Sequence, residues 1–159
     1  MAKVLVVYYS RSGHTRAMAE EVVKGLRKAG AEAILKSVAE ASVDDLPGCD
    51  GVIVGSPTYY GHMAWEVKRF LDESIKHHGA LAGKVGGAFS SAGGHGGGYE
   101  TTIRGILDAL LIHGMVVQGT ASGAHYGPVA AGAPDEQAKG ECRLLGRRVA
   151  ELAARLSGK

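Results

Sequence analysis

A short run of polar residues offers the chemistry of an anion site: Ser10, Arg11, Ser12, Gly13, His14 and Thr15. Its hydroxyls can donate hydrogen bonds to phosphate oxygens, the arginine adds positive charge, and the glycine permits a tight turn. Apolar residues at helical spacing follow between Ala17 and Leu26, so the run is expected at a helix N-terminus, where free amide groups favour an anion. The alternative is that Ser12 or Thr15 simply caps this helix, and this run alone leaves the two interpretations even.

Two further polar segments follow apolar runs later in the chain. The first places two adjacent tyrosines after a proline, and such flat side chains are better explained by a planar ligand than by plugging a loop. Its candidate contacts are Pro57, Thr58, Tyr59, Tyr60 and Gly61. The second segment offers backbone N–H groups with almost no side chains, and its candidates are Ser91, Ala92, Gly93, Gly94, His95 and Gly96.

Five apolar runs predict buried strands that would position these segments. The predicted strands cover residues 4–9, 31–38, 51–55, 84–90 and 114–119. Apolar residues at helical spacing predict helices over residues 17–26, 63–75, 101–113 and 133–156. Regular alternation of strand and helix predicts an α/β fold, a three-layer sandwich whose five-stranded parallel sheet is covered by helices on both faces.

Convergence of the three polar segments follows from that fold. The carboxyl ends of parallel strands lie at one edge of a sheet, so segments 10–15, 57–62 and 91–99 are expected to meet there. A flat, phosphorylated heteroaromatic ligand would use all of them, with its phosphate at the helix start, its ring against tyrosine and its ring edge on the glycine backbone. The first segment lacks the lysine of a nucleoside-triphosphate loop, so a monophosphate is expected.

Length and composition exclude several other classes of protein. The 159 residues suit a single domain over residues 1–159, and the net charge of +2 is spread along helices, which weighs against nucleic-acid binding. Cys49 and Cys142 form no recognisable motif, so a reduced, cytoplasmic protein is expected. The six-residue apolar run near the N-terminus is too short for a signal peptide or a membrane span, so no membrane insertion is expected. The seven histidines lack metal-site spacing, so no metal is predicted. His95 and His125 are the candidates for catalytic contact with a ring edge or substrate, and a simple loop role is as well supported for both.

The polar segments resemble the flavin-binding loops of the WrbA-type NAD(P)H:quinone oxidoreductases, which have the flavodoxin-like fold. The similarity is carried by segments 8–15, 55–63, 89–93 and 96–100, and it continues through 113–117 and 126–128. It implies a sheet of order 2-1-3-4-5, noncovalent FMN, NAD(P)H as co-substrate and a small-molecule quinone as electron acceptor. It also implies phosphate contacts from residues 10–15, ring contacts from Thr58 to Tyr60, and contacts to the ring edge and ribityl chain from Ser91 to Gly96.

Several departures from that family concern the substrate space more than the flavin. Ser12 stands where the family often has tyrosine, the segment from Ile75 to Gly79 lacks its tryptophan, and Ile112 replaces a histidine. An insertion between the second and third strands, which helps tetramers form, is also absent, so a homo-oligomer, dimer or tetramer, stays open. The alternative function is a flavodoxin-like electron carrier that docks redox protein partners. Such carriers are usually acidic, and the mildly basic charge of this chain favours the enzyme.

Overall fold

The computed structural model describes all residues from Met1 to Lys159. In chain order its strands are β1 (Lys3–Tyr8), β2 (Glu32–Ser37), β3 (Gly51–Tyr59), β4 (His62–Met63), β5 (Val85–Ala92), β6 (Val116–Val117) and β7 (Val129–Ala131). The main sheet has the order β2-β1-β3-β5-β6 and all its pairs are parallel. Strand β7 runs parallel to β5, and β4 forms an antiparallel hairpin with β3.

Four helices cover the two faces of the sheet. They are α1 (His14–Lys28), α2 (Trp65–Glu73), α3 (Tyr99–Ile112) and α4 (Glu136–Ser157), and 3-10 turns span Val43–Asp45 and Ser74–His77. Buried residues of α1 and α4 share one apolar cluster with Val4, Val6 and Phe89, whereas α2 and α3 share the other with Leu5 and Val7. Alternate residues of β1 thus serve opposite faces, as a central strand requires. No helix is both long enough and apolar enough to cross a membrane.

The predicted α/β sandwich with its parallel sheet is confirmed, with differences in the strand count. Five predicted strands correspond to the five positions across the sheet, but the fifth position is divided between β6 and β7, and β4 was not predicted. Strand β6 pairs with Val85 and Gly86, and β7 pairs with Ser90 to Ala92. The predicted strand at 114–119 is reduced to Val116–Val117 in the structure, because the chain leaves the sheet after Val117 and returns at Val129.

Two glycines allow α1 and α4 to touch through their backbones. A Cβ atom on Gly25 would lie 2.1 Å from the carbonyl oxygen of Arg143, and one on Gly146 would lie 2.2 Å from that of Val22. Neither position can carry a larger residue without moving the helices apart. This contact holds α1 against α4. The first turn of α1 includes His14 and Thr15, so the contact also positions the end of the first polar segment.

Candidate functional site

The first polar segment ends in an uncapped helix. Gly13 is the N-cap of α1, has φ of 94°, and no side chain caps the helix. The interpretation that Ser12 or Thr15 caps α1 is therefore wrong; the local side-chain contact is instead the Ser10 hydroxyl, which accepts the amide hydrogen of Gly13 at 3.1 Å. A left-handed N-cap is accessible to glycine at little cost, which explains the residue type.

Several amide groups of this segment have no acceptor within the protein. Among the backbone and side-chain hydrogen bonds none is donated by the amide of Arg11, Ser12, His14, Thr15 or Arg16. Ser12 and Gly13 are exposed, and a Cβ atom on Gly13 would meet no atom within 4 Å. Amides that converge at the positive end of a helix dipole form a ready anion site. The helix start therefore retains unused donors that a phosphate could accept.

The second segment is the hairpin between β3 and β4. Its two central residues, Tyr60 and Gly61, have φ of 50° and 80°, and positive φ at both positions is what a type I′ turn requires. Tyr60 is the only residue other than glycine with positive φ, and its side chain is fully exposed. Buried Ser56 holds the base of the hairpin, because its hydroxyl accepts the amide hydrogen of Ala64 at 2.9 Å. The fold thus holds a strained tyrosine out in solvent.

The third segment is open backbone that leads into α3. Cβ atoms added to Gly93, Gly94 or Gly96 would meet no atom within 4 Å. The amides of residues 93–96 donate no hydrogen bond within the protein, and Gly98, the N-cap of α3, provides no side-chain cap. By contrast, Asp135 caps α4 through the amide of Ala138 at 2.8 Å. A second set of free N–H groups therefore lies at the carboxyl end of β5.

Hydrogen bonds between side chains bring the three segments together at one edge of the sheet. The hydroxyls of Thr15 and Ser91 are 2.9 Å apart and buried, which joins the start of α1 to the end of β5. The hydroxyls of Thr58 and Ser90 are 3.0 Å apart, which joins β3 to β5. The Tyr9 and Tyr59 rings meet edge to face with centroids 6.5 Å apart. We call this edge, formed by residues 10–15, 57–62 and 91–98, the rim.

The glycine at the start of α3 also allows the hairpin tip to dock. A Cβ atom on Gly98 would lie 2.9 Å from the Cα atom of Gly61, so only glycine permits this approach. The Thr101 hydroxyl lies 2.6 Å from the carbonyl oxygen of Gly61 and 2.7 Å from that of Gly98, and it can donate to either. Sequence reasoning missed Thr101, although a threonine in the first turn of a helix is a familiar signal for local hydrogen bonding.

The two candidate histidines make local hydrogen bonds only. His95 Nδ1 is 3.3 Å from the Tyr99 hydroxyl, and His125 Nδ1 donates to the carbonyl oxygen of Thr120 at 2.8 Å. Both histidines are exposed, and neither contacts Tyr59 or Tyr60 through a hydrogen bond or a ring pair. Local loop contacts therefore account for both side chains.

Burial and charge give two residues beside the tyrosines, Tyr9 and Arg11, unusual surroundings. Burial, followed by the neighbouring Glu66 carboxylate, raises the pKa of Tyr9 above its usual range, so its hydroxyl stays protonated at neutral pH. Arg11 takes part in none of the ion pairs of the structure, whereas Arg16 pairs with Glu20 at 3.0 Å. A cation without an acidic partner thus lies beside the free amides of the first segment.

The rim offers a suitable partner for each part of FMN. Unpaired amides and the Arg11 guanidinium suit a phosphate monoester, exposed tyrosines suit a flat ring, and open glycine backbone suits the polar edge of a flavin. The hydroxyls of Thr15 and Ser91 are the exception, since each already has the other as its partner.

Comparison with known proteins agrees with this architecture. A model of the flavodoxin domain matches residues 5–96, and by this match the chain belongs to the flavodoxin family. A relative named flavodoxin from Aquifex aeolicus is 45% identical over 163 residues, which cover 97% of this chain and 88% of the relative.

Two other relatives extend the comparison to the WrbA-like branch. A relative named NAD(P)H dehydrogenase (quinone) from Gluconacetobacter diazotrophicus is 38% identical across 99% of this chain and 100% of its own. The crystal structure of a flavodoxin, WrbA-like protein from Agrobacterium tumefaciens superposes with a TM-score of 0.82 at 30% identity, covering 98% of this chain and 99% of the other. The resemblance inferred from the sequence is thereby confirmed.

Proposed function

We propose that this protein is an FMN-dependent NAD(P)H:quinone oxidoreductase. The observation that carries the proposal is the rim itself, where two sets of unpaired amides flank exposed Tyr59 and Tyr60. Relatives 36–39% identical over 99% of the chain are named NAD(P)H dehydrogenase (quinone), which supports the enzyme class.

Each part of the rim has a distinct task in this proposal. Residues 10–15 hold the phosphate through their amides and Arg11, and the Tyr59 and Tyr60 rings provide flat surface for the isoalloxazine. Bound FMN would supply two-electron redox chemistry that protein side chains lack. The amides of residues 93–96 would then donate to the polar ring edge, where negative charge collects on reduction.

The glycine segment suits that task because it carries no opposing charge. No acidic residue occurs between Gly93 and Gly98, and the space beside Gly93, Gly94 and Gly96 is open. Donors that are already oriented stabilise developing negative charge without rearrangement. This setting favours transfer of electrons in pairs.

Anaerobic stopped-flow mixing with NADH or NADPH tests the proposal. The purified protein, loaded with FMN, should lose its visible flavin absorbance on mixing, because the nicotinamide reduces the flavin. A following quinone pulse should restore it. Free FMN at equal concentration is the control, and it should react far more slowly. Absence of bleaching at millimolar donor contradicts the oxidoreductase.

The second candidate function is an electron carrier that docks redox proteins. It is favoured by the 45% identity to a relative named flavodoxin, which exceeds the identity to the quinone dehydrogenases. A carrier should bind FMN and accept electrons from dithionite, yet remain oxidised with NAD(P)H alone. The same stopped-flow experiment therefore separates the two functions. Protein that stays colourless after FMN is added would exclude both.

A further inference from the structure

A cavity of about 880 Å³ lies beside the rim, between the first polar segment, the end of β2 and the start of α2. None of residues 57–62 or 91–98 lines it, so it is separate from the tyrosine and glycine parts of the rim. Tyr9 lines its wall and also contacts Tyr59, which makes the cavity a neighbour of the rim. Its volume is within the range of small-molecule sites.

Three arginines line this cavity together with the carboxylates of Glu66 and Glu73, so its cationic side chains outnumber its acidic ones. Arg11 has no ion-pair partner, whereas Arg16 pairs with Glu20 at 3.0 Å and Arg69 pairs with Glu73 at 2.8 Å. Both pairs join exposed side chains one helical turn apart, and such pairs contribute little because solvent screens them. Arg16 and Arg69 can therefore turn toward a phosphate at small cost.

Trp65 provides an aromatic surface at the same cavity. It is the first residue of α2, and 66% of its surface is exposed although it is the largest apolar side chain of the protein. Packing against the core therefore does not explain its position. An exposed indole beside guanidinium groups suits a purine base, because the flat face of the base stacks on aromatic rings.

Glu66 adds a carboxylate with one unused acceptor atom. Its Oε2 atom is buried and makes no hydrogen bond, which is unusual for a carboxylate oxygen. The carboxylate also interacts with the nearby Tyr9 hydroxyl. Burial, followed by the charge of Glu66 and hydrogen bonding with it, raises the pKa of Tyr9. A ribose hydroxyl or an adenine amino group would supply the missing donor. Carboxylates meet ribose hydroxyls in the same way in dinucleotide-binding folds.

We infer that this cavity binds the adenosine diphosphate half of the nicotinamide co-substrate. Arg16 and Arg69 hold its phosphates, Trp65 stacks on the adenine, and Glu66 accepts a hydrogen bond from the ribose or the base. The nicotinamide half then extends past Tyr9 toward the tyrosines of the rim. This inference rests on the proposed function. The cavity shares Ser10, Arg11 and Gly13 with the phosphate segment, but the four residues assigned to the nucleotide lie outside the residues that hold the flavin.

Calorimetric titration of ADP into the FMN-loaded protein tests the site without any redox step. Trp65→Ala and Arg69→Met should each weaken ADP binding by about tenfold or more, and Trp65→Phe should recover most of the loss because it retains a flat ring. Arg147→Met is the matched control, since Arg147 pairs with Glu151 at 2.7 Å in the same i,i+4 arrangement but lies on α4. It should leave ADP binding unchanged.

Steady-state kinetics and flavin affinity complete the test. Trp65→Ala and Arg69→Met should raise the KM for NAD(P)H by about tenfold, with little change in kcat or in the Kd for FMN. Unchanged ADP affinity in both variants, no ADP binding at millimolar concentration, or an equal loss of FMN affinity would each overturn the inference. Flavin reduction without ADP binding leaves the proposed function intact. ADP binding without flavin reduction overturns the proposed function, and with it the assignment of this site to a co-substrate.

Discussion

The hydroxyl groups of Thr15 and Ser91 share a buried hydrogen bond of 2.9 Å across 76 positions of the chain. Ser91→Ala should therefore destabilise the protein by about 1–3 kcal/mol, because the Thr15 hydroxyl is left buried without a partner. The double variant Thr15→Val with Ser91→Ala should cost less than Ser91→Ala alone, since no orphaned hydroxyl remains. Urea unfolding measures both. FMN affinity should change by less than about threefold in the double variant, because these two hydroxyls bond to each other and not to the ligand.

Ser12→Asp should weaken FMN binding severely, because it places a carboxylate among the free amides that would receive the phosphate. Like charges about 4 Å apart repel by roughly 1–4 kcal/mol near a protein surface, which corresponds to about 5- to 1000-fold in Kd. Quenching of flavin fluorescence measures the affinity. Ser122→Asp, at another exposed serine, serves as the control and should have no effect. Equal affinities in the two variants would remove the first polar segment from the flavin site.

Tyr60→Asn should change stability and flavin affinity in opposite directions. Asparagine tolerates positive φ better than tyrosine and precedes glycine in favoured I′ turns, so the free energy of unfolding should rise by about 0.5–1 kcal/mol. The flavin should bind more weakly, because the exposed ring is lost. Chemical unfolding of the protein without FMN and fluorescence titration give the two values. A loss of stability would show that the Tyr60 ring supports the hairpin.

Arg143→Met should destabilise the protein more than Arg147→Met does. Glu21 is 7% exposed and pairs with Lys24 and Arg143, so the Arg143 pair joins α1 to α4, whereas Arg147 makes only an exposed pair within α4. About 1–2 kcal/mol is expected for Arg143→Met, below the cost at a fully buried pair because Arg143 is partly exposed. The Arg147 variant should cost at most about 0.5 kcal/mol.

The pH dependence of that difference follows from Glu21. Burial opposes its ionisation, but hydrogen bonds from Lys24 and Arg143 outweigh burial and lower the pKa of Glu21. A carboxylate with a lowered pKa stabilises the fold above its unfolded pKa, about 4.3, and loses that contribution as the pH falls through the folded pKa. The gap between the parent protein and Arg143→Met should therefore be largest at neutral pH and shrink below about pH 4.

His113 should make the fold less stable in mild acid. Its Nε2 lies 2.7 Å from the Ser74 hydroxyl, which itself donates to the carbonyl oxygen of Leu71, while its buried Nδ1 has no partner. Burial, followed by neighbouring His78, lowers the pKa of His113. Such a histidine leaves stability intact above the unfolded pKa of about 6.5 and reduces it as the pH falls toward the lower folded pKa.

Thermal unfolding between pH 8 and pH 5 measures this effect (one group contributes at most about 1.4 kcal/mol per pH unit). His113→Phe should flatten the decline below about pH 6.5, whatever its effect on stability at pH 8. His62→Gln, at an exposed histidine, should retain the decline. An equal slope in the parent and His113→Phe would assign the decline to other groups.

The sequence predicts the elements that depend on local pattern. Apolar runs such as Val4–Tyr8 mark the central strands, and the alternation of strand and helix predicts a parallel sheet covered on both faces. The order of the strands followed only from the family resemblance. The division of the fifth strand was not predictable, because Val129–Ala131 is short and made of small residues whose pairing with Ser90–Ala92 is purely tertiary. The α1 cap was ambiguous for a related reason. A serine near a helix start says little until the backbone shows that Gly13 holds the cap position.

The other features that could not be predicted depend on contacts between residues far apart in the sequence. The Thr15–Ser91 bond and the Ser74–His113 bond join residues 76 and 39 positions apart, and nothing in either local pattern points to the partner. The same holds for the cavity lined by Arg16, Trp65 and Arg69, which exists only because α2 packs beside the first polar segment.

The divided fifth strand makes the segment from Gln118 to Tyr126, which lies at the surface, a natural site for chain extension. Both of its ends are held to β5, by Val117 opposite Gly86 and by Val129 opposite Ser90. Added residues between them would enlarge a surface loop at small entropic cost and leave the hydrogen-bonded ladder undisturbed. A peptide tag or reporter domain introduced there should fold with the parent protein and leave the rim unaltered.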